Sequence, residues 1–160
     1  MAGRDASECI WLFLKNDANA ATLRAMIVTG AANVLESGDL TPEILVGAVD
    51  TRRAAVETDK ALALAIQDAG EDPTRVRNVH VAHVVVRVYD RGRGYRNLRT
   101  VRIELIRILR GFASNVASGS GAGALSISFG SRTGHRWDRM YNVEYEAITF
   151  EVRMMYQEEN

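Results

Sequence analysis

Histidine and cysteine, the usual ligands of zinc and other transition metals, are few in this sequence, with three histidines and one cysteine. His80 and His83 lie three positions apart in a run of β-branched residues, and the third histidine, His135, lies far along the chain. Residues i and i+3 of a strand point to opposite faces, so this pair cannot readily chelate one ion. A single cysteine, Cys9, excludes an internal disulfide and a multi-cysteine zinc site. We therefore expect two sheet histidines with local hydrogen bonds, a buried or interfacial thiol, and no metal site.

One glycine-rich segment has the composition of a phosphate-binding loop but not its context. Residues 119–123 follow a predicted helix and precede a predicted strand, without a lysine. A phosphate loop instead follows a strand, opens a helix and carries Lys-Ser/Thr. Ser118 and Ser120 likewise lack the strand-to-helix context of a nucleophile elbow. No paired carboxylates stand out from the surface charge. The sequence therefore predicts no catalytic residue, and we expect a protein that is not an enzyme.

Arginine is the main source of positive charge, since Lys15 and Lys60 are the only lysines. Eight arginines lie within residues 87–110, where Asp90 and Glu104 are the only acidic residues. Three interpretations stay open: a solvated helix face, contact with passing nucleic acid, or pairing with acidic residues of a neighbouring subunit. The acidic candidates for that pairing are Glu144, Glu146, Glu151, Glu158 and Glu159. Segregated charges of both signs suit head-to-tail association.

Composition excludes several classes of protein. The 160 residues carry 20 basic and 20 acidic side chains, and 47% are hydrophobic. Such a chain is too apolar to be disordered, and it lacks the net positive charge of a dedicated nucleic-acid binder. No apolar run approaches the roughly 18 residues of a membrane span. The first residues are too acidic for a signal peptide, so we expect a product that stays in the cytoplasm of the cell that makes it.

The first half of the sequence predicts mostly helices. Residues 10–14 suggest one helical turn or a short docking arm, and apolar periodicity predicts a helix over 19–36. Thr-Pro-Glu predicts a second helix start, over 42–49. Residues 50–60 are expected to form an exposed charged loop or a frayed helical end. Alternating apolar residues at 61–66 fit either a strand or a helical end.

The second half predicts strands around one amphipathic helix. Val76–Tyr89 is the strongest strand signal, with a predicted core face of Ala82, Val84, Val86 and Val88. A helix is predicted over Tyr95–Arg110. Its apolar stripe is Leu98, Val101, Leu105, Ile108 and Leu109.

Loops and the last strands complete the prediction. Residues 68–73 and 130–138 have loop-like composition. Residues 125–129 alternate as a half-buried strand. The final strand region, 140–156, changes its apolar phase, which predicts a bulge or bend near Ala147.

This order of elements predicts an α+β fold. We expect a mainly antiparallel sheet with a helix packed on one face, preceded by N-terminal helices. Residues 1–60 would form an N-terminal helical arm and charged loop within the same domain as an α+β core at 61–160.

Three features of the second half resemble a known family. They are the run Val84-Val85-Val86-Arg87-Val88-Tyr89-Asp90, the helix that begins at Tyr95, and the terminal strand with Phe150-Glu151-Val152. Together, over about residues 61–156, they resemble the tail terminator (tail completion, neck) proteins of long-tailed phages and related archaeal viruses. The helices and charged loop before residue 61 are longer than in the smaller members of that family.

The resemblance implies a structural role in a virion. Members form a hexameric ring on the last ring of tail-tube subunits, stop tube growth and present a surface to the head-side connector protein. DNA passes through the lumen without sequence readout. The resemblance thus implies self-association, tail-tube and connector partners, a place in the virion neck after assembly in the host cytoplasm, and no enzyme activity, cofactor or membrane.

Other classes stay open beside this one. The chain could be a different neck or head-completion protein, or a small nucleic-acid-binding module that uses residues 87–110, although zero net charge and a lack of stacking aromatic motifs disfavour the latter. A small α+β enzyme is disfavoured by the lack of paired catalytic residues. The residues predicted to contact partners, all on predicted loops, are Arg91, Arg93, Arg132, Arg136 and Trp137.

Overall fold

A five-stranded sheet organises the chain, and the helices pack against one of its faces. The computed structural model describes residues 5–36, 59–90, 96–110, 124–139 and 143–155. The elements are α1 (Ala6–Asn16), α2 (Ala21–Ala25), β1 (Val34–Glu36), β2 (Ala63–Pro73), β3 (Val79–Asp90), α3 (Arg96–Arg110), β4 (Ala124–Asp138) and β5 (Val143–Met155). The strand order is β1-β2-β3-β5-β4, and among these described strands only β1 and β2 pair in parallel. The predicted α+β class, with a mainly antiparallel sheet, is confirmed.

Helix α1 is longer than the single turn predicted at residues 10–14. The Asp5 side chain caps it by accepting a hydrogen bond from the Glu8 N–H at 2.8 Å. This cap adds a turn upstream of the apolar run, which is why the sequence prediction was too short. The buried residues of α1 are Ala6, Cys9, Ile10, Phe13 and Leu14. Trp11 Nε1 donates to the Val34 carbonyl at 2.9 Å and so ties the helix to β1.

The single helix predicted over residues 19–36 is wrong. The segment contains a 3₁₀ turn at Ala18–Ala20, the short α2, a second 3₁₀ turn at Gly30–Asn33, and then β1. Thr29 and Gly30 both have left-handed φ values, 60° and 61°, which a continuous α-helix does not allow. The residues that create the apolar periodicity, Leu23, Ile27 and Val34, are all buried. They belong to a series of short turns and to β1 rather than to one helix.

Strand β2 resolves one open choice and corrects one prediction. Residues 63–66 begin a strand rather than end a helix, and the predicted loop at 68–73 continues that strand to Pro73. The register with β3 shifts between Asp68 and Glu71, and Gly70 within the shift has a φ of 105°. This bulge accounts for the loop-like composition, because polar and glycine residues are tolerated where a strand is exposed and irregular.

The strongest predictions, strand β3 and helix α3, are confirmed. Their buried residues include every member of the predicted core face and of the predicted helix stripe. They join α1 and α2 in one cluster on the helix-covered side of the sheet. The opposite face carries a smaller cluster of Leu62, Ala65, Tyr89 and Val143, with Tyr145 packed against it.

The last two strands depart from prediction in two ways. Residues 130–138, predicted as a loop, continue β4. The bulge or bend predicted near Ala147 is not present in the β3–β5 ladder, which has no register shift from Met155 to Glu144. A shift does lie opposite Ala147, between Arg132 and His135 of β4. At the start of β5, Val143 and Tyr145 face the smaller cluster, whereas Glu144 and Glu146 occupy the helix-covered face. The apolar residues of β5 therefore change from odd to even positions along the strand.

Several predicted segments lie outside the described residues. These are the helix at 42–49, most of the charged loop at 50–60, the loop predicted to carry Arg91 and Arg93, and the glycine-rich segment at 119–123. None of the described helices is long and apolar enough to cross a membrane.

Candidate interaction site at the arginine-rich edge

Three of the five predicted contact residues lie on strand β4. Arg132, Arg136 and Trp137 are exposed strand residues, so their predicted location on a loop is wrong. Arg91 and Arg93 lie outside the described residues. Among the described strands, β4 has a neighbour on one side only, which is β5. The described contact candidates therefore belong to one outer edge of the sheet.

Pairing with β5 determines which face each β4 side chain occupies. Even-numbered residues of β5, such as Ile148 and Phe150, face the helices and belong to the main core. The β4 residues that pair with even-numbered β5 residues include Phe129, Arg132, His135 and Trp137. Arg136 pairs with Tyr145 and therefore lies on the other face. The predicted contact residues are thus divided between the two faces of the edge.

A buried glutamate holds two arginines at this edge. The Glu146 side chain is only 3% exposed. Arg102 of α3 donates from Nη1 to both its carboxylate oxygens, at 2.8 and 3.0 Å, and Arg132 of β4 donates to Oε1 at 3.3 Å. A carboxylate buried without cations would be strongly destabilising, so these arginines compensate its loss of hydration. The cluster Arg102–Glu146–Arg132 joins α3, β5 and β4.

A second buried carboxylate lies beside the first. Glu144 is two residues from Glu146 on the same face of β5, and its side chain is 10% exposed. His135 Nε2 lies 2.7 Å from Glu144 Oε1. The other oxygen, Oε2, has no hydrogen-bond partner among the described residues. Two carboxylates at one end of the helix-covered face make this end polar, unlike the rest of the core.

Sequence reasoning missed the internal role of these glutamates. Glu144 and Glu146 were candidates for pairing with arginines of another subunit, whereas Glu146 pairs with arginines of its own chain. One signal was available, because both share the parity of Ile148 and Phe150 along the strand. Their positions at the core face could have been predicted from that parity.

The described arginines of segment 87–110 do not form one surface. Arg87 lies on the face away from the helices and donates to Gln67 Oε1. Arg102 belongs to the buried cluster. Arg107 hydrogen-bonds Glu104, through Nε at 3.0 Å, and this bond holds the pKa of the Glu104 carboxyl below its usual value despite the opposing effect of desolvation. The described arginines are therefore divided between internal pairs and exposed positions.

An open cleft lies above the buried cluster. Its volume is about 350 Å³, and its described lining residues are Arg99, Arg102, Arg132, Gly134, His135 and Glu146. Three guanidinium groups and one carboxylate give it a positive charge. Guanidinium groups pair in bidentate fashion with carboxylates and phosphates, so the cleft can hold an anionic group.

A cleft of opposite charge lies at the other edge of the sheet. Its volume is about 500 Å³, and its described lining residues are Asp5, Ser7, Glu8, Trp11, Glu36, Ile66 and Asp68. Four of these are acidic and none is basic. The cleft combines the start of α1 with β1 and β2. The two charged clefts are therefore separated by the width of the sheet.

The histidines of β3 behave as local sheet residues. His83 Nε2 lies 2.9 Å from Asp72 Oδ2 on the neighbouring strand β2. The predicted local hydrogen bond is thus confirmed at His83. Within the described ranges, no three His, Cys, Asp or Glu residues come together as a metal site.

Comparison with solved structures identifies a shared fold. No protein-family model and no curated protein matches the sequence. A solved structure does match: a chain in the virion of a native gene transfer agent (GTA) particle, with a TM-score of 0.58 and 14% sequence identity. The alignment covers 94% of this chain and 94% of that chain. The two chains therefore share a fold that spans nearly their whole lengths.

Proposed function

We propose that this chain is a virion structural protein that forms a ring at the head–tail neck. The ring, a homohexamer, would terminate the tail tube and join it to the head-side connector protein, with DNA passing through its lumen without sequence readout. It would assemble in the host cytoplasm and remain in the virion. The observation that carries the proposal is the fold shared with a chain of a gene transfer agent virion over 94% of both chains.

The sequence resemblance supports the proposal independently. The Val-rich strand that ends at Asp90, the amphipathic helix α3 and the final strand β5 are the features that resemble tail terminators, and all three are present as a strand, a helix and a strand. Fold alone does not determine function, so the proposed role in the neck ring rests on the shared fold and the sequence resemblance together.

The surface of the described residues suits protein contacts. Phe129 and Trp137 are 45% and 49% exposed on the outer strand β4, which also contributes Arg132 and His135 to the arginine-lined cleft. Aromatic and arginine side chains are enriched at protein–protein interfaces. The exposed aromatic and arginine side chains of β4 therefore support a role for this edge in protein contacts.

Mass in solution tests the ring directly. The purified chain would be measured by light scattering on a sizing column over a range of concentrations, with and without duplex DNA, and imaged by negative-stain electron microscopy. We expect a discrete sixfold ring, or a climb toward that mass with concentration, whether or not DNA is present. A chain that stays monomeric at every concentration and forms no ring in images would count against the proposal.

The arginine-lined cleft favours one other candidate, a nucleic-acid-binding module. Arg99, Arg102 and Arg132 could neutralise phosphates, and such binding weakens steeply as salt rises. In the same measurement, a monomer that binds duplex DNA at low salt and releases it at high salt would support that candidate instead.

A further inference from the structure

We propose that one exposed ridge of helix α3 contacts the phosphate backbone of duplex DNA without reading its sequence. The ridge consists of the exposed arginines of this helix: Arg96, Arg99, Arg107 and Arg110. The inference deepens the proposed function, on which it rests for the place of the contact in the neck. The contact itself does not require a ring, so the two are tested separately.

The spacing of the four arginines places them on one side of α3. An α-helix turns by about 100° per residue, so positions 96, 99, 107 and 110 fall within an arc of about 80°. Ile103, which is 55% exposed, lies in the same arc. The residues of α3 that are buried in the main core, such as Leu105, lie on the opposite side. The ridge therefore points away from the main core.

Three of the four ridge arginines have no partner within the described residues. Arg96, Arg99 and Arg110 are exposed, and their side chains make no hydrogen bond or ion pair with the part of the chain that the structure describes. Arg107 binds Glu104, yet its side chain is 64% exposed. The folded chain therefore leaves these guanidinium groups open to a partner.

Helix α3 is strongly positive although the whole chain has no net charge. The helix carries five arginines, and one of them, Arg102, is bound to Glu146 of β5. Glu104 is the only acidic residue of the helix, so four guanidinium groups of the ridge stand against one carboxylate. Because basic and acidic residues balance over the 160 residues, the attraction to DNA is local to this ridge, and we expect weak binding.

The length of the ridge fits a DNA duplex. Arg96 and Arg110 are about 21 Å apart along the helix axis, since each residue adds about 1.5 Å. The gap between Arg99 and Arg107 is about 12 Å by the same rise, and the major groove of B-DNA is about 12 Å wide. A pair of arginines at each end of the ridge can therefore reach the phosphates that border one groove.

The other side chains of α3 favour phosphates over bases, and DNA over an acidic protein. Asparagine and glutamine read adenine in the major groove, but the one such residue of α3, Asn97, is buried. The exposed aromatic residues Phe129 and Trp137, of a type enriched at protein interfaces, lie on β4 instead. A row of arginines without base-reading or aromatic side chains suits contact with a backbone that is the same in every sequence.

The dependence of DNA affinity on salt tests the inference. Each phosphate contact releases counterions, so the logarithm of the association constant falls by about 0.9 per contact for each tenfold rise in salt. We expect a slope of about −2.7 to −3.6 for the wild-type chain with a short labelled duplex, measured by fluorescence anisotropy. Two duplexes of unrelated sequence should bind equally. A slope near zero, or a preference of about tenfold for one duplex, would overturn the inference.

Removal of the two outermost arginines should reduce this slope. Arg96 and Arg110 are exposed and lie outside the arginine-lined cleft, so the double variant Arg96→Gln, Arg110→Gln leaves both ion pairs of α3 intact. We expect the slope to fall in magnitude by about 1.8, with an unchanged circular dichroism spectrum. An unchanged slope in this folded variant would contradict the assignment of the ridge.

Two further variants separate the ridge from net charge and from the cleft. The double variant Arg75→Gln, Arg136→Gln removes the same charge from exposed positions in the β2–β3 turn and on the other face of β4. Arg132→Gln removes an arginine of the cleft rather than of the ridge. We expect both to keep the wild-type slope. An equal fall in the charge control, or a fall confined to Arg132→Gln, would rule out the ridge as the contact.

Poly-L-glutamate tests the acidic-protein alternative, and we expect it to compete only weakly with DNA. Tighter binding of poly-L-glutamate than of DNA, reduced by the loss of Arg96 and Arg110, would assign the ridge to an acidic protein, against the inference. The outcomes also separate this contact from the ring. A ring that does not bind DNA would overturn the contact and leave the ring standing, whereas a monomer that binds DNA through the ridge would support the contact and contradict the ring.

Discussion

The two ends of strand β5 present the same face to the helices but are stabilised by different interactions. Toward its C-terminal end, Ile148, Phe150 and Val152 are buried among apolar side chains of the main core. Toward its N-terminal end, the same face carries Glu144 and Glu146, which are buried against arginine and histidine. The apolar end is stabilised by side-chain packing in the main core, whereas the ionic end places arginines at the rim of an open cleft. The polar end is therefore where we expect contacts with other molecules.

The largest effect is expected at the apolar end. Phe150→Ala removes a side chain that is 2% exposed in the main core, and should lower the free energy of unfolding by about 3–5 kcal/mol. Urea unfolding monitored by circular dichroism measures it. Phe129→Ala is the matched control. The Phe129 ring contacts Phe150 edge-on, with 6.2 Å between the ring centroids, but Phe129 is 45% exposed. Its loss should lower the free energy of unfolding by only about 1 kcal/mol. Equal losses for the two variants would contradict the assignment of the core.

The next largest effect is expected at the ionic end. Glu146→Gln leaves Arg102, whose side chain is 18% exposed, without its anionic partner. Removing one partner of a fully buried pair lowers the free energy of unfolding by about 3–5 kcal/mol. We expect about 2–3 kcal/mol for Glu146→Gln, because Arg132, the second arginine on Glu146, is half exposed. A double-mutant cycle with Arg102→Met measures the coupling between the two residues. A coupling energy near zero would show that the two ends of β5 do not differ as described.

A smaller effect is expected at the second carboxylate. His135→Ala removes the group that lies 2.7 Å from Glu144, and should cost about 1–2 kcal/mol because the carboxylate stays buried. The control is Arg136→Ala, on the adjacent residue of β4 but on the opposite face, which should change stability little. Thermal unfolding of the two variants compares the two faces of β4. Equal decreases in melting temperature for His135→Ala and Arg136→Ala would contradict the pairing of His135 with Glu144.

The smallest effect is expected for an ion pair whose cation is exposed. Glu104 pairs with Arg107 on α3, and its pKa is lowered in the folded state. A carboxyl with a lowered pKa stabilises the fold above its unfolded value of about 4.5, and this contribution is lost as pH falls through the folded pKa. Solvent screening weakens the pair, so Glu104→Gln should cost less than His135→Ala at pH 7.

Urea titrations of Glu104→Gln and the wild type at pH 7 and pH 3 provide the check. The difference between the two proteins should shrink at the lower pH. A difference that grows as the pH falls would mean that the Glu104 pKa is raised rather than lowered.

The sequence predicted the elements whose pattern reflects a single packing environment. The β-branched run of β3 and the apolar stripe of α3 each face one core, so periodicity alone located them. It failed where local backbone conformation decides the structure, as at Thr29 and Gly30, whose left-handed φ values end a helical pattern. It also failed at residues 130–138, because an outer, irregular strand with exposed side chains has the composition of a loop.

The candidate site was predictable only in part. Arg132 was selected from the sequence as a contact residue, but its partner Glu146 lies on another strand, and no spacing along the chain indicates which strands are neighbours. The acidic cleft was missed for the same reason. It combines Asp5, Glu36 and Asp68, which are far apart in sequence and meet only because β1 pairs with β2 beneath the start of α1.

Growth of a tail tube tests the central claim, that this chain ends the tube at the neck of a virion. The purified chain would be added to polymerising tail-tube protein encoded by the same genome, and tube lengths would be followed by electron microscopy. We predict that growth stops and that each stopped tube carries one ring of this chain at one end. Tubes that lengthen at an unchanged rate, with the chain left unbound in solution, would contradict the account.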